Sequence, residues 1–152
     1  MKELRNTGLV FGLGIAILAS SGFTPRRASA PVSRGVQALT QHIAMLKSGR
    51  PQDKAAAAYW LGQQKSAAAA AVDSLVGLLG DMSEVNPSHY RAKTVLQKMT
   101  VGGEAAAALV NIGHSSIEPL IRVLKTSPEA EARKNAAWAL GALHDTGATT
   151  QI

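Results

Sequence analysis

Four histidines are the residues of this chain best suited to acid–base chemistry or metal binding at neutral pH. His42, His89, His114 and His144 lie far apart in the sequence, and none has the short spacing of metal ligands. His42 falls on an apolar helical stripe, where we expect it to be partly buried and hydrogen-bonded. His114 and His144 each lie at the C-terminal end of a predicted helix, where an imidazole favours the negative helix end. The histidines therefore predict neither a metal site nor a catalytic residue.

The motifs of other chemistries are missing from the sequence as well. Ser, His and Asp occur, but no nucleophile-elbow turn holds them together. Gly102-Gly103 has no Lys-Ser/Thr after it, so it predicts a break between helices and not a phosphate loop. The Pro in Asn86-Pro87-Ser88 excludes N-glycosylation there. We therefore expect a non-enzymatic protein without catalytic, cofactor-binding or metal-binding residues.

The composition predicts an all-α fold. The 152 residues fit a single domain, and they are rich in Ala, the best helix former, with only 4% aromatic residues. Helices of this kind must approach each other closely on small side chains. No run of residues alternates between apolar and polar as a half-buried strand does, so we expect no sheet.

The net charge of +6 does not indicate nucleic-acid binding. Residues 1–30 contain four basic side chains and one acidic side chain, and residues 31–152 contain 12 basic and 9 acidic side chains. Each part therefore carries a net charge of +3. The second value is an ordinary surface charge, and no basic run with interleaved aromatic residues occurs. We expect no nucleic-acid partner.

Residues 1–30 have the pattern of a secretory signal peptide, which we expect to be helical. Lys2 and Arg5 precede an uncharged apolar stretch at 8–18, and the Ala-Ser-Ala of residues 28–30 fits a cleavage site. The chain has no Cys, so neither disulfides nor lipid attachment at a cysteine can occur. We expect an exported protein, periplasmic or secreted.

A retained membrane anchor is the alternative for this segment. The two arginines at 26–27 are an unusual charge so close to a cleavage site, and the apolar residues 7–24 would then form the anchor. The stretch is short for a span, which needs roughly 20 residues. The membrane is therefore a partner only if this segment is retained.

Residues 31–152 predict one domain of repeated helix pairs. In each unit a first helix, here called the A helix, ends in Leu-Gly or Ile-Gly, and a second, the B helix, carries an apolar stripe at three- and four-residue spacing. A single pair would leave an apolar face exposed, so stacking of neighbouring pairs is the stable solution. There are about three units, and residues 82–103 are an atypical insertion. The A helices close at Leu61-Gly62, Ile112-Gly113 and Leu140-Gly141.

Start and stop signals give the expected helix bounds. A helix within the insertion is expected to run through Val95, Leu96 and Met99 to a break at Gly102-Gly103. The other expected helices span 36–47, 53–62, 67–79, 104–112, 115–125 and 127–145.

The units resemble HEAT repeats, specifically the short HEAT-like repeats first described in phycobilisome lyases. The Pro-Glu-Ala-Glu-Ala-Arg of 128–133, the Ala-Ala-Trp-Ala-Leu-Gly of 136–141 and the companion helix 117–124 carry the resemblance. It covers about 33–147 and is weakest over 82–103. It implies a short α-solenoid of antiparallel helix pairs that recognises a protein or peptide partner.

The resemblance also implies a structural role for the basic residue of the A helix. In that family this side chain bonds within or between repeats, so Arg133, Lys54 and Arg91 are expected to support the fold. Asp81 and Asp145 are the expected acidic partners or caps.

Two further expectations concern the ends of the repeat. Trp60 and Trp138 lie in A helices at similar places, and we expect both to be anchored in the core. The face after Leu143 has no obvious polar cap, so we expect a partner, self-association or the tail 146–152 to cover it.

If B helices line the inner surface, as the resemblance implies, residues at the positions farthest from their buried stripe and on the two edges that flank these positions form a candidate partner-binding face. This surface is shallow, nearly neutral and edged by an apolar ladder that suits a protein or peptide. The alternative is that its apolar members pack against the next helix pair. The surface, here called the B-helix face, consists of Gln41, Met45, Asp73, Ser74, Leu78, Glu118, Arg122 and Val123.

These observations predict an exported HEAT-like repeat protein that acts as a non-enzymatic protein-interaction scaffold in the cell envelope. The alternative, implied by the repeat subtype alone, is a tetrapyrrole (bilin) lyase-like enzyme or a helper of one. The signal segment argues against this alternative, because the lyases of that family act in the cytosol.

Overall fold

The computed structural model describes residues 33–91 and 98–145. The predicted signal peptide (1–30), the tail (146–152) and the Val95-Leu96 part of the predicted insertion helix lie outside the described residues. The α-helices are α1 Arg34–Met45, α2 Pro51–Gln63, α3 Val72–Val76, α4 Val101–Ile112, α5 Ile117–Thr126 and α6 Ala130–Asp145. Shorter elements are the 3₁₀ helices Lys65–Ala71, Pro87–His89 and His114–Ser116, and the strands β1 Glu84–Val85 and β2 Met99–Thr100.

Local signals in the sequence explain several helix ends. α2 begins with Pro51 and has Asp53 in its first turn, which suits the positive end of the helix dipole. Thr100 caps α4, because its hydroxyl oxygen accepts a hydrogen bond from the Gly103 N–H at 3.0 Å. α4 ends before Gly113, whose φ of 88° lies in the left-handed region that favours glycine.

The helices stack in two layers. The A helices α2, α4 and α6 form one layer, in which α2 packs on α4 and α4 packs on α6. Each B helix lies against an A helix, α1 on α2, α3 on α4 and α5 on α6, and α3 also packs on α5. The described residues therefore form a mostly helical, solenoid-like repeat fold, as the sequence predicts.

An apolar core built mostly from Leu and Ala joins the two layers. Leu61, Leu75, Leu109, Leu120 and Leu143 are fully buried and come from five different helices or turns of the two layers. Buried alanines fill the remaining positions and let the helix axes approach closely.

The contact between α2 and α4 depends on a missing side chain. A Cβ atom at Gly62 would lie 3.0 Å from the Cα of Ala108, so α4 occupies the space that a side chain would need. A second close approach occurs at Gly102, where a Cβ atom would lie 2.5 Å from the carbonyl oxygen of Leu79. Both glycines permit backbone contacts that alanine would crowd.

The prediction of one continuous helix over residues 67–79 is wrong. The chain runs from a 3₁₀ helix (Lys65–Ala71) into the five-residue α3 and then into a turn. Lys65 has a φ of 52°, and Ala68 has φ and ψ of −92° and 18°, so continuous α-helical hydrogen bonding is interrupted. The apolar stripe is kept nonetheless, because Ala68, Ala71, Val72 and Leu75 are all buried.

The insertion also differs from the prediction. Met99 does not lie in a helix that breaks at Gly102-Gly103, because α4 already begins at Val101 and both glycines belong to its first turn. Met99 instead pairs with Val85 in an antiparallel two-strand ladder, which contradicts the expectation of no sheet. Hydrogen bonds from Gly102 N–H to Asp81 O and from Val101 N–H to Ser83 O, 2.8 and 3.1 Å long, fix this arrangement.

We expect Gly62→Leu to destabilise the fold and Gly141→Leu to be tolerated. Leu at 62 would be forced into α4, and overpacking of this kind lowers the free energy of unfolding by about 1–3 kcal/mol. A Cβ at Gly141, the residue inside α6 that matches Gly62 when the repeat units are aligned, meets nothing within 4 Å, and Leu favours helix over Gly by up to about 1 kcal/mol. Urea unfolding followed by circular dichroism measures both values. Equal stabilities of the two variants would contradict the role assigned to the α2–α4 contact.

Candidate partner-binding surfaces

The structure distributes the predicted B-helix face over three helices and one turn. Its α1 and α3 members are Gln41, Met45, Asp73 and Ser74. Leu78 lies in the turn after α3, and α5 carries the remaining residues, Glu118, Arg122 and Val123. Because α3 packs on α5, the members on these two helices lie on neighbouring elements of one layer.

The apolar members of this face are partly used by the core. Met45, Leu78 and Val123 are half-buried and pack against the main cluster between the layers. Their placement favours the interpretation that they hold neighbouring helices together, and it leaves less apolar surface than a free ladder would offer. The exposed part of the face is polar.

The exposed charges of the B-helix face are unpaired. Asp73, Glu118 and Arg122 are exposed, and within the described part of the chain their side chains make no ion pair or hydrogen bond; Arg122 takes part only through its carbonyl oxygen, which accepts from Thr126. Most other acidic residues of known placement are paired: Asp53, Asp81, Glu84, Glu104 and Glu131 each have a basic neighbour.

Two of the basic residues of the A helices bond within the fold as expected. Lys54 Nζ lies 3.2 Å from Asp81 Oδ2, so Asp81 is confirmed as its partner. Burial acts to raise the pKa of Asp81, but hydrogen bonds from Ser83 and the Lys54 ammonium outweigh it, and the pKa lies below the usual value. Arg133 donates to the carbonyl oxygens of Ser127 and Pro128 at 2.8 and 2.9 Å, and so holds the start of α6.

The third basic residue, Arg91, belongs to a buried network around Glu104. Glu104 lies in the first turn of α4 with only 1% of its surface exposed. Arg91 Nη2 donates to its carboxylate at 2.5 Å, and the Tyr90 hydroxyl donates to it at 3.2 Å. The guanidinium lies 4.8 Å from the ring centre of Tyr59, which also packs against Tyr90. Glu104 thus fastens part of the insertion to α2 and α4.

The Tyr90 hydroxyl keeps its proton at neutral pH, as its hydrogen bond to Glu104 requires. Burial raises the pKa of Tyr90 above the range of a free phenol, and the charge and hydrogen bond of Glu104 raise it further, while Arg91 opposes them. Because the folded-state pKa is raised, the stabilisation is complete at neutral pH and is lost only as the pH rises beyond the usual phenol range. The network is therefore a fixed structural element at physiological pH.

His42 has a structural role. His42 is half-buried, its Nδ1–H donates to Ala38 O at 2.8 Å, and its ring stacks on Trp60 with centroids 3.8 Å apart, which confirms the expected burial and hydrogen bond. Within residues 33–91 and 98–145, no three or more His, Asp or Glu side chains come together as metal ligands would. No helix in these ranges has the length and apolarity needed to cross a bilayer.

Trp138 contradicts the prediction that both tryptophans are core anchors. It is 55% exposed, whereas Trp60 is half-buried against α1. When α2 and α6 are aligned on Gly62 and Gly141, the counterpart of Trp138 is Tyr59 and not Trp60. The helical stripe itself gives the signal, because the buried positions Ala132, Ala136, Ala139 and Leu143 leave Trp138 on another side of α6.

Trp138 borders an apolar cavity that the sequence did not reveal. The cavity has a volume of about 270 Å³ and lies between α4, α6 and β2. Asn135 lines the cavity, and its side-chain amide also donates to Leu79 O at 2.8 Å. The lining residues are Met99, Gly103, Ala107, Lys134, Asn135 and Trp138.

Comparison with known proteins supports a repeat-helical family. The family model described as Armadillo/beta-catenin-like repeat matches residues 112–143, a stretch that holds α5 and most of α6. No curated protein and no solved structure matches the chain. The similarity to Armadillo-type repeats agrees with the stacked helix pairs and is coarser than the HEAT-like subtype.

We expect Glu104→Gln to lower the free energy of unfolding by about 2–3 kcal/mol, because it leaves the partly buried Arg91 without its counter-charge. Glu84→Gln is the matched control, since Glu84 pairs with Lys98 on the exposed surface, where such a pair contributes about 0–1 kcal/mol. Urea unfolding at pH 7 measures both variants. Similar losses in the two variants would show that burial of the Glu104 pair is not the deciding factor.

Proposed function

We propose that this chain is a non-enzymatic protein-interaction scaffold whose B-helix face holds a protein or peptide partner. Stacked helix pairs present an extended surface without a catalytic constellation, and this is how repeat proteins of this kind are used. The solenoid-like layers and the Armadillo-type match support this class of function.

The observation that carries the proposed site is the set of unpaired charges on adjacent B helices. Asp73 on α3 and Glu118 and Arg122 on α5 have no partner within the described residues, although α3 and α5 pack together. Exposed charges of both signs can pair with a partner's opposite charges, which orients the partner and speeds its association. The half-buried Met45, Leu78 and Val123 add apolar contact at the edge.

A photo-crosslinking amino acid placed at Gln41, Asp73 or Arg122 is expected to capture the same partner from cells. Gln63 is the matched control, because it is an exposed polar residue at the end of an A helix. Mass spectrometry of the crosslinked species identifies the partner. Capture of one species at all four positions, or at Gln63 alone, would argue against the B-helix face.

The double exchange Glu118→Lys with Arg122→Glu tests the charges directly. It keeps the net charge and reverses the pattern on α5, so the partner identified by crosslinking should bind at least about tenfold more weakly. Glu118 lies in the first turn of α5, and losing an acid there costs only about 0.3–1 kcal/mol of stability. Unchanged affinity in isothermal titration calorimetry would contradict the proposal.

The finer assignment to the short HEAT-like subtype is also a proposal, supported by residues 128–133 and 136–141. The lyase-like alternative belongs to this same subtype and predicts a saturable spectral shift when the protein is titrated with a bilin. The scaffold proposal predicts no such shift.

We further propose that the protein is exported and works in the cell envelope. The supporting observations are Lys2, Arg5, the apolar stretch 8–18 and the Ala-Ser-Ala of residues 28–30. Sequencing of the mature N-terminus is expected to begin at Pro31. A mature chain that keeps residues 7–24 and fractionates with membranes would support the anchored alternative instead.

A further inference from the structure

The cavity between α4, α6 and β2 owes its space to small residues on α4. Gly103 and Ala107 are four positions apart and both half-buried, so they lie on the same side of this helix. A Cβ atom at Gly103 would meet only Thr100 Oγ1 within 4 Å, so no atom of α6 fills the space beside it. Trp138 of α6 and Met99 of β2 are the large side chains that border this space.

The size and the walls of the cavity suit a flat ligand of two fused rings. A dry apolar cavity of about 150 Å³ holds one benzene ring, and the volume here is about 270 Å³, which is nearly twice as large. Trp138, which is 55% exposed, offers aromatic surface for stacking. The Met99 thioether is a favourable neighbour for an aromatic ring as well.

Asn135 gives the cavity a hydrogen-bond acceptor that has no donor. Its Nδ2 donates to Leu79 O at 2.8 Å, and this bond settles which end of the amide carries the oxygen. Within residues 33–91 and 98–145, the Oδ1 atom of Asn135 takes part in no hydrogen bond. A ligand with a ring N–H group can therefore donate to this oxygen.

Lys134 gives the mouth of the cavity a positive charge. Among the six described residues of the lining it alone is charged, and 72% of its side chain is exposed. Its ion pair with Glu131, 3.0 Å long, is weak because it is solvated, so the ammonium is available to a ligand carboxylate. Phosphate is less suited, because the first three N–H groups of α4 already donate to Ser83, Asp81 and Thr100.

We propose that this cavity binds a small aromatic acid with two fused rings and a ring N–H group, as in an indole carboxylate. The rings lie between Trp138 and the small residues of α4. The ring N–H donates to Asn135 Oδ1, and the carboxylate pairs with the Lys134 ammonium at the mouth. This site lies on A helices and β2, so the inference goes beyond the scaffold role of the B-helix face and does not depend on it.

Isothermal titration calorimetry of the full chain with indole-3-acetate tests the proposal. We expect a dissociation constant between about 10 μM and 1 mM, because the cavity is small and open beside Trp138. Tryptamine has an amine in place of the carboxylate, and 1-naphthaleneacetate lacks the N–H group. Each should bind at least about fivefold more weakly. No binding of indole-3-acetate, or equal affinity for all three compounds, would overturn the proposal.

Two variants locate the site. Ala107→Leu fills the cavity from α4, so we expect it to abolish binding while urea unfolding shows a stability no lower than that of the unsubstituted protein. Ala44→Leu is the matched control, because Ala44 is an exposed helical residue outside the cavity. Lys134→Gln, at an exposed position, should weaken indole-3-acetate binding at least about fivefold without weakening tryptamine binding. Binding of indole-3-acetate that is unchanged in Ala107→Leu or in Lys134→Gln would overturn the proposal.

Two other occupants of the cavity give different results, and either result would overturn the proposal. An aromatic side chain of a partner protein is indicated if indole-3-acetate does not bind and Ala107→Leu abolishes capture of the crosslinked partner. Residues Val95 and Leu96 of this chain are indicated if indole-3-acetate binds only after both are changed to Gln. The double exchange at Glu118 and Arg122 should leave indole-3-acetate binding unchanged, which separates a failure of this site from a failure of the B-helix face.

Discussion

The arrangement of the described domain depends on the burial of α4 from two sides. α2 and α6 both pack on this helix, and α3 and the 3₁₀ helix Lys65–Ala71 contact it as well. A helix in this position has no solvent face wide enough for a polar stripe. Eight of its twelve residues are buried, and most of these are Ala or another small or aliphatic residue. The Ala-rich, aromatic-poor composition therefore suits a repeat unit whose helix is closely packed on both sides.

One charge is buried in this helix, and its position explains how the insertion is held. Glu104 stands in the first turn of α4, where the positive end of the helix favours a carboxylate. The helix end alone would not compensate its desolvation, and Arg91 and Tyr90 supply the remaining hydrogen bonds. Burying the pair contributes little net stability, but the contacts of Tyr90 and Arg91 hold residues 90–91 against α2 and α4. The network is therefore better understood as fixing an arrangement than as strengthening it.

The sequence predicts the A helices and α5 well because their signals are local. Closing glycines, first-turn acids and apolar stripes act within a few residues, and α2 and α4 end where these signals place them. The insertion could not be predicted in this way. The start of α4 is set by hydrogen bonds from Val101 and Gly102 to Ser83 and Asp81, and about twenty residues of sequence separate the partners. A two-residue strand pair leaves no alternating pattern that could be recognised beforehand.

The B helices and the A helices differ in what the sequence could say about which of their residues are exposed. Which B-helix residues face away from the core follows from helical geometry, so Asp73, Glu118 and Arg122 are exposed as the helical wheel requires. Whether an apolar residue of an A helix is buried depends instead on the unit that follows it.

Tyr59 and Trp138 show this dependence directly, because they hold the same position in two A helices. Tyr59 is covered by Tyr90 and Arg91 of the insertion, whereas no described residue plays that part for Trp138. Covering a large aromatic side chain gains about 1.5–3 kcal/mol. Tyr59 gains such free energy from contacts within the chain, whereas the exposed part of Trp138 does not gain it from any described residue.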